Sequence, residues 1–394
     1  MGITSSKDKS DCTKTKLVIV GGSYSGRAAV YLLDPTFDVT WIERRPILIH
    51  KMMVRSMVIE DWIEPALVPN EKLIRRGKLI HGNVRSVDTK TKEVECETVD
   101  GVQKVNYDFL IIASGATTKC PIEPRFTEIG GSTRETIYQF FKSIVSTISK
   151  HNSILILGGG PVGCEVAGEI KSRYPSKEVY IANRTMTLCS GMHIDQAGSD
   201  KIKKGLEKHG IKVFLNTTVN LSQSEHHQGL LEYSAPRNFC DDQIKDVTLA
   251  INCTGSTPNT DFVPSEFLTP EKLVNVNEYL QASESIFAIG DCTNIKEPKL
   301  FVTSGTKKFM FGLPVGHADI VARNLKALVE GKPLTAYKPV SETAKPQLLI
   351  PLGPKDAVAL NAPGFIARMK AKDYFYPGHW KFGGAQPPKR PAIA

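Results

Sequence analysis

The stretch 154–163, ILILGGGPVG, carries the most information about the fold of this chain. Its first four residues form a short apolar run, which is typical of a buried strand, and the glycines that follow fit the pattern G-x-G-x-x-G. Gly158 permits a tight turn, Gly160 lets the backbone approach a pyrophosphate, and Gly163 lets the next helix pack closely. The stretch therefore predicts a strand, a phosphate-binding turn and a helix whose N-terminus faces the phosphates.

A second copy of this pattern lies near the start of the chain. The apolar run 16–20 is followed by GGSYSG at 21–26, in which Ser23 takes the place of the middle glycine. Glu43 ends the next predicted strand, where an acid can hold the hydroxyls of an adenosine ribose. Each copy predicts a βαβ unit. We therefore expect an α/β fold with two Rossmann-like dinucleotide-binding domains and a small C-terminal segment.

Two dinucleotide sites in one chain are typical of proteins that hold a flavin permanently and bind a nicotinamide coenzyme transiently. Three further turns after predicted strands support this order: 113–115 (ASG), 254–259 (TGSTPN) and 290–291 (GD). Asp291 can accept hydrogen bonds from the ribityl chain of a flavin; the alternative is an ordinary turn aspartate after glycine. The predicted parts are a flexible N-terminus (1–13), a FAD-binding domain in two pieces (14–130 and 255–340), an NAD(P)H-binding domain (131–254) and a C-terminal segment on the acceptor and membrane side (341–394).

The charge of the chain is concentrated in its two tails. Of its 394 residues, 50 are Lys or Arg and 41 are Asp or Glu, and residues 1–16 and 365–394 supply seven of the nine excess positive charges. A nearly neutral body argues against a nucleic-acid partner, and basic tails suit an anionic lipid surface. No apolar run approaches the ~18 residues that would cross a bilayer.

The eight cysteines show neither C-x-x-C nor C-x(4)-C spacing, which indicates reduced intracellular thiols. Residues 50–55 (HKMMVR) contain no cysteine, so a dithiol relay after the second strand is not expected. Sulfide oxidation would need paired thiols beside the flavin, and Cys120 with Cys164 is the pair that the sequence alone leaves open. No cluster of residues predicts a metal site.

Taken together, these motifs resemble the two-dinucleotide flavoprotein reductases, and among them the apoptosis-inducing-factor homologues and ferroptosis-suppressor proteins. The resemblance covers about residues 1–382 and rests on the Met-Gly start, VGGSYSG, GGGPVGCEVAGE, TGSTPN, AIGDC, the Pro298-Lys299 pair and the segment 317–339. It implies tightly bound FAD, oxidation of NADPH or NADH, and reduction of a ubiquinone-type quinone to a radical-trapping quinol. The chain departs from the family pattern at Ser23 and in about seven extra residues around 306–313, which puts the geometry of a quinone site in doubt.

The resemblance also implies which residues form the site. The FAD contacts would be Gly21, Gly22, Ser23, Tyr24, Ser25, Gly26, Glu43, Arg44, Arg55, Val84, Ala113, Gly115 and Asp291. The nicotinamide coenzyme would contact Gly159, Gly160, Pro161, Gly163, Asn183, Arg184 and Gly255. Glu165 would be a catalytic residue near the flavin–nicotinamide stack, and Lys299 and His317 would be catalytic residues on the acceptor side of the flavin, as proton or charge partners.

The residues after the second strand of the nicotinamide unit bear on the choice of coenzyme. An acid there would hold the ribose 2′-hydroxyl of NADH and repel a 2′-phosphate, but the sequence has Asn183 and Arg184. Because arginine can pair with a phosphate, we predict that NADPH is accepted at least as well as NADH. The alternative is that Arg184 is an ordinary surface charge.

Both ends of the chain predict attachment to a membrane. Residues 1–6 (MGITSS) fit the myristoylation signal, which places the acyl group on Gly2, and palmitoylation of Cys12 would supply a second anchor. The basic, aromatic segment 374–382 suits a headgroup interface, and its alternative is ordinary packing against the flavin domain. We expect the protein in the cytosol and on the cytoplasmic face of the plasma membrane, lipid droplets or an outer organelle membrane; a homodimer is left open.

Two other functions are alternatives to a membrane quinone reductase. The first is a redox-gated signalling protein of the apoptosis-inducing-factor type, which would bind FAD and NAD(P)H but turn over slowly. The second is a soluble ferredoxin- or rubredoxin-type reductase, against which the lipidation signal and the basic aromatic tail count.

Overall fold

The secondary structure is known from a computed structural model, which describes residues 15–125, 128, 130–219, 225–240, 242–297, 316–339, 345 and 347–392. The strands are β1 (Lys16–Val20), β2 (Asp38–Glu43), β3 (Ile47–Ile49), β4 (Leu67–Pro69), β5 (Lys78–His81), β6 (Asn83–Asp88), β7 (Glu93–Thr98), β8 (Gly101–Asn106), β9 (Phe109–Ile112), β10 (Ala116–Thr118), β11 (Ser153–Leu157), β12 (Glu178–Ala182), β13 (Lys212–Phe214), β14 (Glu225–His227), β15 (Leu230–Phe239), β16 (Ile244–Asn252), β17 (Ser256–Pro258), β18 (Ile286–Ala288), β19 (Leu348–Pro351) and β20 (Ala357–Leu360). The α-helices are α1 (Tyr24–Leu33), α2 (Ile63–Ala66), α3 (Arg134–Lys150), α4 (Pro161–Arg173), α5 (Gln196–Lys208), α6 (His317–Val329), α7 (Gly364–Asp373) and α8 (Tyr376–Phe382).

The first sheet is parallel, with the strand order β18-β9-β1-β2-β5. Its central strand β1 is apolar after Lys16, and Leu17, Val18 and Ile19 are almost completely buried, because helices or loops cover both faces of a parallel sheet. Helix α1 follows the first glycine turn directly and begins at Tyr24.

The second sheet has the order β13-β12-β11-β16-β15-β14. Strands β13, β12, β11 and β16 run parallel, and β15 and β14 extend the sheet as antiparallel strands. Helix α4 follows the second glycine turn and has Pro161 at its first position, where a missing N–H costs nothing. The expectation of an α/β fold with two Rossmann-like sheets is thereby confirmed.

Two smaller sheets connect these folds. Strands β6, β7 and β8 form an antiparallel sheet, with Val94 opposite Val105. Strands β10 and β17 pair antiparallel, with Thr117 opposite Thr257. Because β10 precedes the second sheet in sequence and β17 follows it, the chain enters and leaves the nicotinamide unit through two neighbouring strands.

The C-terminal segment has more regular structure than its composition indicates. The hairpin β19–β20 packs against α4 and α5, and a Cβ atom on Gly168 would lie only 2.6 Å from the Cα of Leu352. Helices α7 and α8 follow, and Trp380 donates a hydrogen bond to the carbonyl of Pro65 at 2.9 Å. In the described part of the chain, no helix combines the length and the apolar character needed to cross a bilayer.

Candidate dinucleotide sites

A cavity of about 520 Å³ opens at the carboxyl ends of the first sheet. Its walls include seven of the residues expected to contact FAD, namely Gly21, Gly22, Ser23, Glu43, Arg44, Val84 and Ala113. Ligands of open parallel sheets bind at this edge, so the position of the cavity matches that of a dinucleotide.

Glu43 is held against the glycine turn. Its Oε1 accepts a hydrogen bond from the N–H of Arg45 at 3.0 Å, and a Cβ atom on Gly22 would lie 2.6 Å from the Cγ of Glu43. Only a glycine therefore leaves this carboxylate beside the turn. An acid in this position can accept the hydroxyl groups of an adenosine ribose.

The wall of the cavity also carries cationic side chains, two of which pair with Glu123. Glu123 is almost fully buried and forms ion pairs with Arg45 at 2.9 Å and Lys51 at 2.7 Å. Burial would raise the pKa of Glu123, but the charges of Lys51 and Arg45 outweigh it and lower the pKa to about 2. Arg44 and Arg85 also line the cavity. The wall can therefore neutralise the negative charge of a pyrophosphate.

The residues of the cavity fit FAD. Ser114 lies on the cavity wall, and its Oγ is buried with no hydrogen-bond partner among the described residues, so a ligand atom would satisfy it. The sequence analysis did not identify Arg45, Lys51, Glu123 or Ser114. Two of them could have been found, because Arg45 is two residues after Glu43 and Ser114 lies in the ASG turn.

The other expected FAD contacts lie outside the walls of this cavity. Ser25 and Gly26 are buried in α1, and Gly115 precedes β10. The Tyr24 hydroxyl and His50 Nδ1 are 2.9 Å apart. Burial raises the pKa of Tyr24, and the charges of Asp291 and Glu165 raise it further. The Tyr24 hydroxyl therefore lies within electrostatic range of the carboxylates of Asp291 and Glu165.

Arg55 is not among the residues that line the cavity, and its expected contact with FAD stays a prediction. Its guanidinium forms a bidentate ion pair with Glu169 at 2.8 and 2.9 Å and donates to the carbonyls of Ala371 and Lys372. The side chain is 1% exposed and that of Glu169 is 0% exposed. Because a buried carboxylate needs a cationic partner, Arg55 is committed to Glu169.

Glu165 pairs with a residue of the C-terminal segment. Its Oε1 accepts a hydrogen bond from Lys370 Nζ at 2.6 Å, and Lys370 also donates to the carbonyl of Leu349 at 2.8 Å. Burial raises the pKa of Glu165, although the ammonium group of Lys370 acts in the opposite direction. The sequence predicted the acid, but its partner lies 205 residues further along the chain.

The second glycine turn is open where a coenzyme would bind. A Cβ atom on Gly160 would meet no atom within 4 Å, so the space beside it is free for a pyrophosphate. A Cβ atom on Gly163 would collide with the carbonyl oxygen of Gly158, which explains the close packing of α4 on β11. Gly159 donates its N–H to Asn183 Oδ1 at 2.9 Å, and Pro161 begins α4.

Asn183 and Arg184 face in different directions. The Asn183 amide nitrogen donates to the carbonyls of Thr185 and Thr187 and to the hydroxyl of Thr185, each at 2.9 Å. With Gly159 on its oxygen, Asn183 is used to hold the turn and is 8% exposed. Arg184 is exposed and forms no ion pair with an acid of the described residues. Gly255, in the loop between β16 and β17, also has open space around it.

His317 is buried, and its expected catalytic role stays a prediction. The ring is 0% exposed, Nδ1 lies 3.1 Å from the backbone nitrogen of Gly290, and Nε2 lies 2.8 Å from Glu297 Oε1. Both ring nitrogens are therefore engaged inside the protein. Lys299, Gly2, Cys12 and the extra residues at 306–313 lie outside the described residues.

The structure pairs Cys120 with Cys253 and not with Cys164. The sulfur atoms of Cys120 and Cys253 are 3.6 Å apart, between the ends of β10 and β16. Cys164 lies near Cys189 at the second glycine turn, and the hydrogen bond with Cys189, together with burial, raises the pKa of Cys164. In the described residues, no group of three or more His, Cys, Asp or Glu side chains has the geometry of a metal site.

Comparison with known proteins shows the family. Apoptosis-inducing factor homolog A of Dictyostelium discoideum is 28% identical over 387 residues, covering 91% of this chain and 89% of that protein. Ferroptosis suppressor protein 1 of Homo sapiens is 26% identical over 386 residues, covering 94% of this chain and 96% of that protein.

Two solved structures share the fold. The sulfide:quinone oxidoreductase of Aquifex aeolicus has a TM-score of 0.65 at 17% identity, over 95% of this chain and 93% of that chain. An engineered water-forming NADPH oxidase bound to NADPH has a TM-score of 0.58 at 19% identity, over 82% of this chain and 71% of that chain. The family model described as pyridine nucleotide-disulphide oxidoreductase matches residues 15–307. The expected resemblance is thereby confirmed, and the chain belongs to the pyridine nucleotide-disulphide oxidoreductase family, whose enzymes bind FAD and use NAD(P)H.

Proposed function

We propose that this chain is a membrane-associated flavoprotein that oxidises NADPH or NADH and reduces a ubiquinone-type quinone to its radical-trapping quinol. The observation that carries the proposal is the cavity at the first glycine turn, which is lined by Glu43 and by the cationic side chains of Arg44, Arg45 and Lys51. A second glycine turn, open at Gly160, supplies a place for the coenzyme. Bound FAD supplies acceptance of hydride from nicotinamide and transfer of two electrons to an acceptor.

The residues of the cavity would hold the cofactor by charge and by hydrogen bonds. Glu43 would accept the hydroxyl groups of the adenosine ribose, and the Ser114 hydroxyl would gain a partner. Arg45 and Lys51 would offset the charge of the pyrophosphate, because Glu123 holds both side chains in place. Arg45 and Lys51 are held by Glu123, and Glu43 is held by the Arg45 N–H, before any ligand binds, which reduces the entropy lost on binding.

The Glu165–Lys370 ion pair would act where the two dinucleotides meet. Both groups are largely buried, with side chains 5% and 13% exposed, so few water molecules reach them. Across 2.6 Å the carboxylate and the ammonium can share a proton beside the reacting rings. Lys299 is proposed to act on the acceptor side of the flavin as a proton or charge partner.

The exposed Arg184 favours NADPH as the coenzyme. The engineered NADPH oxidase, which is bound to NADPH, has an aspartate replaced by alanine and the next residue, an alanine, replaced by arginine. Asn183 and Arg184 present the same combination here, a neutral residue followed by an arginine. An arginine without a partner acid can pair with a 2′-phosphate in a bidentate manner.

Steady-state kinetics test this preference. Arg184→Ala is expected to raise the KM for NADPH about tenfold and to leave the KM for NADH unchanged, because only NADPH carries the 2′-phosphate. Lys204→Ala is the matched control, since it removes an exposed cation from α5 of the same domain. Equal KM changes for both coenzymes would contradict the role of Arg184.

The quinone acceptor is proposed from the relatives and from what the chain lacks. The Aquifex aeolicus enzyme is a sulfide:quinone oxidoreductase, and residues 50–55 of this chain contain no cysteine for a dithiol relay. We expect the purified protein to be yellow, and its NADPH oxidation to rise at least about tenfold when a short-chain ubiquinone is added. A colourless protein that does not take up FAD would overturn the proposal. Tight coenzyme binding with slow turnover on every acceptor would favour the signalling alternative.

The membrane contact is proposed at a different place in the C-terminal segment from the one the sequence suggests. Tyr374, Tyr376 and Trp380 are buried in the core shared with residues 47–68, whereas Phe365 and Met369 on α7 are 57% and 53% exposed. Arg368 and Lys372 are exposed on the same side of this helix, three and seven residues after Phe365. Apolar and cationic side chains on one helix face suit an anionic lipid surface.

Vesicle co-sedimentation tests this contact with protein made without the N-terminal acyl group. We expect binding to vesicles that contain phosphatidylserine, and about tenfold weaker binding after Phe365→Ser and Met369→Ser together. Met186→Ser is the control, because Met186 is 63% exposed in the nicotinamide domain. Equal binding of the three proteins would exclude α7 as the contact.

A further inference from the structure

Glu297, His317 and Tyr337 form a buried, hydrogen-bonded cluster beside the turn Gly290–Cys292. His317 Nε2 lies 2.8 Å from Glu297 Oε1, and the Tyr337 hydroxyl donates to the same carboxylate at 2.9 and 3.0 Å. The Tyr337 ring stands edge-on to the imidazole, with 4.6 Å between the ring centroids. The hydrogen bond to Glu297 and the ring contact with Tyr337 therefore fix the orientation of the His317 imidazole.

The hydrogen bonds of His317 select one tautomer. Nδ1 of His317 lies 3.1 Å from the backbone nitrogen of Gly290, and a backbone N–H can only donate. Nδ1 must accept, so the proton of the ring lies on Nε2 and is donated to Glu297. Because Glu297 is 6% exposed, the carboxylate needs these donors from His317 and Tyr337.

Both backbone polar groups of Gly290, its N–H and its carbonyl, form hydrogen bonds. Its N–H binds His317, and its carbonyl accepts hydrogen bonds from the Thr293 hydroxyl at 2.8 Å and the Thr293 N–H at 3.1 Å. Asp291, the next residue, is exposed, and its charge acts on Tyr24 of the first glycine turn. The direction of the turn therefore decides where the Asp291 carboxylate lies relative to the first dinucleotide site.

We propose that His317 is a positioning residue for the flavin. Through the N–H of Gly290 it sets the direction in which Asp291 presents its carboxylate to the bound cofactor, and Glu297 and Tyr337 hold the imidazole in the tautomer that this requires. The proposal rests on the proposed binding of FAD to the first fold. The two ring nitrogens of His317 therefore have different roles. The contact of Nε2 with Glu297 keeps the cluster intact, and the contact of Nδ1 with Gly290 affects the cofactor through Asp291.

Two substitutions of the same residue separate these contacts. Asparagine places its amide oxygen close to the position of Nδ1, so His317→Asn keeps an acceptor for Gly290 and loses the donor to Glu297. Glutamine places its amide nitrogen close to the position of Nε2, so His317→Gln keeps the donor to Glu297 and loses the acceptor. FAD is titrated into the apoprotein of the full chain, and its dissociation constant is read from flavin fluorescence; thermal unfolding of each apoprotein reports stability.

The dissociation constant for FAD is expected to be about tenfold higher in His317→Gln than in His317→Asn, because only His317→Gln loses the acceptor for the Gly290 N–H; a tenfold change corresponds to about 1.4 kcal/mol. His317→Asn is expected to lose more thermal stability than His317→Gln, because it leaves Glu297 with fewer donors. Equal dissociation constants, or weaker binding by His317→Asn, would overturn the positioning role while leaving FAD binding itself intact. Failure of the unaltered apoprotein to bind FAD would overturn the flavin assignment and the positioning role together.

Discussion

The two glycine turns share a backbone design but use the side chain after the next strand in opposite ways. In both, the N–H of the first glycine donates to a carbonyl at the end of the next parallel strand: Gly21 to Ile42 of β2 and Gly158 to Ala182 of β12, each at 2.9 Å. At the first turn, Glu43 accepts one backbone hydrogen bond and lines an open cavity. At the second turn, Asn183 makes four hydrogen bonds within the protein.

This difference separates the ligand function from the structural function at equivalent positions. Glu43 remains available to a ribose, whereas Asn183 is part of the scaffold of its turn. The exposed side chain that can select the second ligand is therefore Arg184, one residue further along. The sequence motif predicts the positions of Glu43 and Asn183, but it does not show that the side chain of Asn183 already forms hydrogen bonds within its own turn.

The largest expected effect tests this division of roles directly. Asn183→Ala removes four hydrogen bonds and leaves the Gly159 N–H buried, so we expect it to lower the free energy of unfolding by about 3 kcal/mol. Glu43→Ala removes one hydrogen bond at the cavity wall and is expected to cost less than about 1 kcal/mol. Urea unfolding of the two apoproteins, followed by circular dichroism, measures the difference. Similar losses in both variants would show that the turns do not differ in this way.

The next prediction concerns the pH dependence of the first site alone. The pKa of Glu123 is lowered from 4.5 to about 2 in the folded protein, so its ion pairs stabilise the fold above pH 4.5, and this contribution is lost as the pH falls towards 2. The full contribution is on the order of 3 kcal/mol, which follows from about 1.4 kcal/mol for each pKa unit. Between pH 5 and 3, unfolding free energy is expected to fall less steeply in Glu123→Gln than in the unaltered protein. An equal fall in unfolding free energy in Glu123→Gln and in the unaltered protein would contradict the stabilising role of the Glu123 ion pairs.

The smallest expected effect comes from adding one methyl group to each of the two glycine turns. Gly160→Ala meets no protein atom, so we expect an unchanged fold, unchanged FAD content and a KM for NADPH raised about tenfold by the loss of room for the pyrophosphate. Gly22→Ala would push against Glu43 and is expected to weaken FAD binding while leaving the nicotinamide site unaffected. FAD titration and coenzyme kinetics on both variants check this. An effect of Gly160→Ala on FAD binding would show that the sites are not independent.

Most of the fold could be predicted from local sequence. Buried parallel strands are short apolar runs, and the turns that follow them need glycine, so β1, β11 and the helices after them were identified within a few residues. The cavity wall from Gly21 to Ser23, with Glu43 and Ala113, followed from the same motif. These features depend on neighbours in sequence, which a motif records.

The rest of the site depends on contacts between distant residues. The pairing of Glu123 with Lys51 and of Glu165 with Lys370 joins residues 72 and 205 positions apart, and no local pattern marks such partners. Arg55 was expected at the flavin because its position matches a family contact, but Glu169 on α4 provides a buried charge that it must neutralise. Likewise, the buried aromatic residues of α8 could not be distinguished from a membrane-facing segment by composition.

The strand β18 has a consequence for the biosynthesis of this protein. It pairs with β9 through Ile286 and Leu110, although the whole nicotinamide unit is translated between them. Until the ribosome has delivered β18, the first sheet exposes an unpaired edge at β9, and such edges recruit foreign strands. The nicotinamide unit meets no such delay, because its strands are consecutive in the chain. The nascent protein therefore completes its second sheet before its first.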